Sequence, residues 1–501
     1  LAENGMLLQE GYLGWGHAYP WFQGMQLLAA ATVLLCGLPT VATTLWLIPA
    51  AGALAVPGLF LAGRRFVNSD AALIGCGCYA VAFPVVFANS HAMPGGLADP
   101  LSLLLIYTFV GILASPRRWL PSFGVLLTGL VVVHHFTLLL AIAGCTGMLA
   151  IEAAAGNRRR APYFTLAVAA ALTSLYWVGY ATGFRVAILG DTGLPLEALV
   201  VAPLVVLIVI RLLASQIPLP LLDVPQRPAR IFLGAFLALL LVIGYGFIWG
   251  VPGTTIPVGL EAVPYLLPPL GWLALAAAPG LVLAQRGGWL LCGWTLPIAG
   301  LAVVGGLTES HLLIAYRHAP YLLAPLALMA GAGFVALLQT QPSVQRPRFI
   351  AGLVAILLCG ALTAYPPANV MGGFQEGSTQ VELGCVLWTQ QVEPGAFIVS
   401  DHRLSSLAFG LGEHNASWEH GAEVLASVGV VREVAAPAAG VQQVDYVLLS
   451  NEMRRGVALL QWEAAEPLSA EANTKFGSQS YPVVLDAGEC QLYRQVPDSL
   501  M

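Results

Sequence analysis

Through residue 366 the chain repeats one pattern: an apolar run, then a short polar or arginine-bearing joint. A helix needs about 20 apolar residues to cross a bilayer. Twelve runs come close to or exceed that length: 41–63, 71–89, 98–115, 119–135, 136–154, 162–184, 195–213, 231–250, 265–284, 288–307, 312–338 and 348–366. A shorter stretch, Trp21 to Leu38, follows Tyr19-Pro20 and fits either a span or a helix lying along the interface. From about Met371 the pattern changes. Strand-like runs appear at Phe397–Ser400, Tyr446–Leu449, Pro482–Leu485 and Gln491–Tyr493. The turn Asp486-Ala487-Gly488 predicts that the last two form a hairpin, and Ala422–Val428 and Met453–Trp462 are helix candidates. The expected fold is therefore a multi-pass α-helical membrane protein with about 12 spans and a small C-terminal α/β domain.

Composition agrees. Hydrophobic residues make up 58% of the 501 and charged residues 9%, with a mean hydropathy of +0.78. A soluble domain carries about 25% charged residues, so lipid must solvate most of this chain. The net charge of -5 decides little; placement of the arginines decides more. They cluster at Arg64-Arg65, Arg117-Arg118, Arg158-Arg159-Arg160, Arg211 to Arg230, Arg286, and Arg346 with Arg348. Successive clusters are two spans apart, so all share one side, which the positive-inside rule makes cytoplasmic. Arg185 is a minor exception. The division this predicts is an outer loop with an interfacial helix (1–40), a polytopic domain (41–370) and a soluble extracytoplasmic domain (371–501). The plasma membrane is the expected location. Arginine aside, the only basic side chain besides histidine is Lys475. No basic patch carries interleaved aromatics, which excludes nucleic acid as a partner.

The remaining polar chemistry falls on the outer side, including all nine histidines. Asp99 stands in Met93-Pro-Gly-Gly-Leu-Ala-Asp99-Pro100 at the outer start of a helix. It reads equally as an N-cap, with Pro100 at the first helical position, and as a base or ion ligand. Glu309 and His311 lie in the outer loop Thr308-Glu309-Ser310-His311, as solvated residues or as metal and acceptor ligands. Arg317 and His318 follow, about two turns into an apolar helix. An arginine there needs a partner: an ion pair with Glu309 or Asp99, or a phosphate whose oxygens match the guanidinium fork. His134 and His135 are adjacent in an apolar helix, where neighbours point about 100° apart; one would face the site and the other pack. His17, Tyr19 and His91 are candidates for the acceptor pocket. Ser400-Asp401-His402-Arg403 ends a strand and reads as ordinary strand-end polarity. Six cysteines lie in or beside spans as small apolar residues. Cys385 and Cys490, in the outer domain, are free to pair or not in an oxidising compartment. There is no Walker sequence, dinucleotide fingerprint or CxxC pair, and the sequon Asn415-Ala416-Ser417 is a weak signal.

In order and spacing these features resemble the GT-C glycosyltransferases, a superfamily that includes oligosaccharyltransferase catalytic subunits, protein O-mannosyltransferases and aminoarabinose transferases. Glu3-Asn-Gly5 through His17-Ala-Tyr19-Pro20 is similar to the family's first outer loop, with Trp21–Leu38 as its interfacial helix. Gly63-Arg64-Arg65-Phe66 resembles its arginine-rich inner loop, Asn89 to Pro100 the loop holding its second acidic position, and Tyr316-Arg317-His-Ala-Pro320 its late arginine facing the lipid phosphate. The resemblance implies an enzyme that moves a sugar from a polyprenyl- or dolichyl-phosphate donor to a protein, lipid or glycan acceptor at the outer face. Asp99, Glu309 and His311 take catalytic roles in that reading, and Arg317, His318 and His134 hold the donor phosphate. Asp99 and Glu309 would ligate a divalent cation, Mg or Mn. Members carry a further catalytic Asp just after the first span. The first acidic residues here are Glu3 and Glu10, so that span and its Asp are expected before Leu1, giving thirteen spans. The WWDYG signature of oligosaccharyltransferase catalytic subunits is missing from the C-terminal region, which argues against that branch. Two rival readings are a transporter or flippase of a lipid-linked or anionic substrate and a non-catalytic assembly protein. No internal repeat favours the transporter.

Overall fold

The computed structural model of the chain describes residues 19–157, 159–193, 195–213, 260–277, 286–308, 313, 315–367, 377–417, 421–436, 440–455 and 468–497. The chain forms two compact units, one built mainly from Trp21–Tyr245 and Ala262–Pro366, the other mainly from Pro367–Met501.

The first unit is helical. It begins with α1 (Gly24–Cys36), α2 (Thr40–Ala53), α3 (Ala55–Gly63), α4 (Ser69–Ala80), α5 (Phe83–Ser90) and α6 (Pro94–Ala114). It continues with α7 (Pro116–Val133), α8 (His135–Ala154), α9 (Arg160–Ser174), a π-helical turn (Leu175–Tyr180), α10 (Thr182–Thr192) and α11 (Leu196–Leu213). The last described helices are α12 (Val263–Ala277), α13 (Arg286–Thr308), α14 (Ala319–Thr340) and α15 (Arg346–Leu362). Among the described residues six helices are long and apolar enough to cross a membrane, or seven if the bent pair α4–α5 counts as one. Among the described residues the expected twelve spans are therefore not all found at full length. The predicted span 71–89 is broken by a 66° bend between Ala80 and Phe83. Pro84, in the first turn of α5, has no N–H to continue the α4 ladder. Trp21–Leu38 contracts to the 13-residue α1, 348–366 to the 17-residue α15, and 231–250 lies outside the described residues.

Small residues set the closest helix approaches. A Cβ on Gly331 of α14 would come 2.1 Å from the Ala71 carbonyl oxygen of α4, and one on Gly147 of α8 would come 2.0 Å from the Gly293 carbonyl of α13. Only glycine admits backbones this close, which is how dispersion contacts hold helices together in lipid. These two seams join α8 to α13 and α4 to α14, while α6, most of whose length is buried, packs chiefly against α2, α3, α7 and α8.

The second unit is a mixed sheet with helices. α16 (Gln380–Trp388) opens it through a capping box in which Thr379 and Glu382 exchange hydrogen bonds. β1 (Phe397–Val399), α17 (His402–Gly410), β2 (Asn415–Ser417), α18 (Gly421–Ala426), β3 (Glu433–Ala436), β4 (Gly440–Gln443) and β5 (Tyr446–Ser450) follow. Then come α19 (Asn451–Arg455), α20 (Ala470–Thr474), β6 (Val483–Asp486) and β7 (Cys490–Arg494). The main sheet runs β2-β1-β5-β7-β6, with β1 parallel to β2 and β5, and β7 antiparallel to β5 and β6. The predicted hairpin is β6–β7: Gly488 takes φ +79° and its N–H donates to Asp486 Oδ1. β5 is buried along its whole length, as suits a central strand. Of the predicted Met453–Trp462 helix, residues 453–455 belong to α19 and 456–462 lie outside the described residues.

Candidate functional site

Asp99 is buried, 5% exposed, well inside α6. The helix starts five residues earlier, with Pro94 rather than Pro100 in its first turn and Met93 as N-cap. Asp99 is therefore not an N-cap. The N-cap reading failed because the Pro-Gly-Gly run, which looks like loop, already winds into helix. Asp99 Oδ2 accepts hydrogen bonds from Tyr79 Oη (2.6 Å) on α4 and Asn89 Nδ2 (3.0 Å) on α5. Both donors hang on the bent pair, so the break at Pro84 aims two residues of one polypeptide stretch at a single carboxylate oxygen.

A second polar set approaches from the other side. His134 is extended, φ −159° and ψ 115°, and separates α7 from α8 as the latter's N-cap. It is not inside a continuous helix, so the 100° argument does not apply to it. Its Nδ1 pairs with Thr137 Oγ1 (2.7 Å), and Thr137 Oγ1 in turn pairs with Tyr321 Oη of α14. Tyr321 is within electrostatic reach of Tyr79, and both Tyr321 and Asp99 line one small cavity with Ser102, Leu140 and Trp294. That cavity holds about 10 Å³, water-sized and too small for a sugar. The result is a polar line across the bundle: Asn89, Asp99, Tyr79, Tyr321, Thr137, His134. His135 packs its ring between Phe22 and Phe184 at centroid distances of 4.9 and 4.3 Å, and its Nδ1 has no hydrogen-bond partner among the described residues. One histidine faces the polar line and the other packs, the two standing at a helix break.

Arg317 and His318 belong to a 3-10 turn, Ala315–His318, and not to a position two turns inside an α-helix. Pro320, in the first turn of α14, fixes the start of that helix. Arg317 is half-buried and close enough to interact electrostatically with His134 and His135. His318 is fully buried, edge-on to the Phe136 ring at 5.0 Å. His91 sits apart, between α5 and α6: Nδ1 pairs with the Phe87 carbonyl (2.6 Å) and Nε2 with Tyr365 Oη (3.3 Å). His17, Glu309 and His311 lie outside the described residues, and of Tyr19 only the backbone, in a 3-10 turn, is described. Sequence reading missed Tyr79, Asn89, Thr137 and Tyr321. The signal was there, since polar residues in spanning helices commonly bond across helices.

In the second unit Asp401 and Arg403 of the Ser400–Arg403 run have structural partners. Asp401 caps α17 by accepting from the Arg403 and Leu404 N–H groups, and the Arg403 guanidinium donates to Asp401 (3.0 Å) and Glu382 (3.2 Å), all buried.

No sequence profile of a known family matches the chain, and no curated protein matches it in sequence. Solved structures do match. The Archaeoglobus fulgidus oligosaccharyltransferase in the apo form aligns at 11% identity and a TM-score of 0.55, over 87% of this chain and 62% of that one. The fold is GT-C-like. The archaeal oligosaccharyltransferase AglB from Archaeoglobus fulgidus, in complex with an inhibitory peptide and a dolichol-phosphate, aligns at 12% and 0.52, over 87% and 62%. The Archaeoglobus fulgidus enzyme in complex with Zn and sulfate aligns at 12% and 0.54, over 96% and 65%. This chain thus spans about 62% of the length of the first of these. The likeness falls on the branch that the missing WWDYG argued against; at such identity it speaks for architecture and not for the branch.

Those relatives raise the question of a metal. Among the described residues no group of three His, Cys, Asp or Glu side chains could hold an ion. Asp99 supplies one carboxylate, whose Oδ2 already accepts two hydrogen bonds. Divalent cations such as Mg take several oxygen ligands, so the described residues do not by themselves make the expected Mg or Mn site.

Proposed function

We propose that the chain is a glycosyltransferase that moves a sugar from a polyprenyl- or dolichyl-phosphate donor to a protein, lipid or glycan acceptor at the extracytoplasmic membrane face. The supporting observation is the polar line inside an apolar bundle. Ionisable groups are costly in such a setting and usually functional, and here a carboxylate and an arginine–histidine group lie at its two ends. The GT-C-like fold, similar to that of a protein solved in complex with an inhibitory peptide and a dolichol-phosphate, gives this arrangement its chemical direction.

In this reading Asp99 is the acid–base group. Its carboxylate, oriented by Tyr79 and Asn89, draws the proton from an acceptor nucleophile through a water in the adjoining cavity, or directly once the helices part at the α4–α5 bend. Arg317 binds the donor phosphate, since a guanidinium remains charged and pairs bidentately with phosphate oxygens. His134 lies beside it and His318 supports it from the core side. Glu309 and His311 complete the catalytic group, and His17, Tyr19 and His91 border the acceptor. Any cation would need Glu309 and further ligands beside Asp99. Transfer from a lipid phosphate requires no nucleotide, which suits a sequence without nucleotide motifs.

The test is sugar transfer from a labelled polyprenyl-phosphate sugar with Asp99→Ala and Arg317→Ala in folded, reconstituted protein. Both are expected to abolish transfer. Unchanged transfer in both would falsify the assignment.

A further inference from the structure

At the end of the bundle opposite Asp99, arginines from three joints meet. Fifteen residues of α6 separate Asp99 from Ala114, about 22 Å at 1.5 Å per residue. There Arg159 donates to the Leu113 and Ala114 carbonyls at 3.1 and 2.8 Å, closing the C-terminal end of α6. Arg65 donates to Tyr107 Oη (3.2 Å) and lies over the Tyr107 and Trp119 rings, while Arg118 lies over Trp119 from its own side. At the same end, where α6 passes into α7 and beside the start of α9, lies an open cavity of about 510 Å³ lined by Ser115, Pro116, Arg117, Arg118 and Ala161. Arg117 and Arg118 are exposed, and no side chain caps the N-terminus of the 18-residue α7 on which they sit. The carboxylates on this side do not line it: Asp70 is in the first turn of α4, and buried Glu152 accepts from Asn157.

We propose that this cavity binds the phosphate headgroup of an anionic phospholipid. Two guanidinium groups and an uncapped helix N-terminus are matched to a phosphate. A lipid, and not a free anion, is the occupant because the walls continue into apolar surface. Leu120, one turn along α7 from Arg117, is 38% exposed, and Phe164, one turn along α9 from Ala161, is 69% exposed. Headgroup charge and acyl chain would thus be met by adjoining parts of one site, as in basic pockets between membrane helices. Arg65 and Arg159 are engaged by aromatic rings and carbonyls and do not line the cavity, whereas Arg117 and Arg118 do; among the described residues Arg118 rests on Trp119 by ring contact alone, which leaves its guanidinium N–H groups to meet the ligand.

The experiment is native mass spectrometry of the delipidated full chain offered equimolar phosphatidylglycerol and phosphatidylcholine. At about five-fold per basic residue, two arginines predict a preference for phosphatidylglycerol of up to roughly thirty-fold, falling as salt is raised. Arg117→Gln/Arg118→Gln should bring it towards parity, while Arg346→Gln/Arg348→Gln, at another basic joint, should leave it intact. Equal binding of the two lipids, a salt-independent preference, or an unchanged preference in Arg117→Gln/Arg118→Gln would each overturn the proposal. Soluble glycerol phosphate should fail to displace the lipid; full displacement would show an anion site and overturn the lipid assignment. The wild-type salt dependence decides the matter if the variants do not fold.

Discussion

Tyr79→Phe isolates the feature on which the catalytic reading depends. Tyr79 is fully buried, and its hydroxyl donates one of the two hydrogen bonds to Asp99 Oδ2, at 2.6 Å. Phenylalanine keeps the ring, so packing against α6 and α14 is preserved and only the oxygen is lost. Hydrogen bonds to charged groups contribute about 1.5–3 kcal/mol. If that orientation is needed in the transition state, transfer falls by roughly ten- to a hundred-fold, at about 1.4 kcal/mol per decade. The second bond, from Asn89 at 3.0 Å, should keep the loss from being complete. Tyr79 touches substrate only through Asp99 in this account. Adding Tyr79→Phe to Asp99→Asn should therefore cost nothing further, a non-additivity that a double-mutant cycle detects. The assay is initial-rate transfer from a polyprenyl-phosphate sugar in proteoliposomes, with a thermal melt of each variant to confirm folding. Full activity in folded Tyr79→Phe, or additive losses in the double variant, would refute the reasoning.

Gly331→Val should separate α4 from α14, because its Cβ would sit 2.1 Å from the Ala71 carbonyl oxygen; overpacking of this kind costs about 1–3 kcal/mol, and the melt should drop while Gly124→Ala, whose Cβ meets nothing within 4 Å, should not destabilise. Lys475 donates to the Val424 and Ser427 carbonyls, and burial pulls its ammonium from 10.5 down to about 8. The folded form therefore releases this proton first, and stability should rise with pH between about 8 and 10.5 and be flat below 8; denaturation of Lys475→Met should lose that rise. The Cys385 and Cys490 thiols, buried on α16 and β7, hydrogen-bond each other, which lowers the Cys385 thiol pKa and pushes that of Cys490 up. Closing them in an oxidising compartment would tie a loop of roughly 100 residues and add up to about 4.7 kcal/mol; non-reducing peptide mapping and melts with and without reductant check this, and two alkylatable thiols in protein from that compartment would contradict it.

How far the sequence could be read depended on which physical signal each element carried. Apolar length located most helices of the first unit, and the Asp-Ala-Gly turn located the β6–β7 hairpin, because each of those signals is local. Breaks were harder. Pro84 bends one predicted span by 66°, since hydropathy cannot distinguish a straight helix from a broken one, whereas the break at His134 falls where the predicted spans 119–135 and 136–154 meet. Asp99 was visible as a carboxylate in an apolar setting, but its partners were not. Tyr79 and Asn89 precede it by 20 and 10 residues on separate helices, and Tyr321 lies 184 residues from Thr137, so only the fold reveals these pairings. In the Ser400–Arg403 run, which read as ordinary strand-end polarity, Asp401 and Arg403 form a helix cap joined to a buried ion pair.

The central claim, sugar transfer from a lipid-phosphate donor, is tested most directly by offering the reconstituted protein two labelled donors, a polyprenyl-phosphate sugar and the matching nucleotide sugar, with acceptor on the extracytoplasmic side. The account predicts a covalent product from the lipid-linked donor alone, lost in Asp99→Ala. A product from the nucleotide sugar, or movement of intact lipid-linked donor across the membrane without any covalent product, would contradict it.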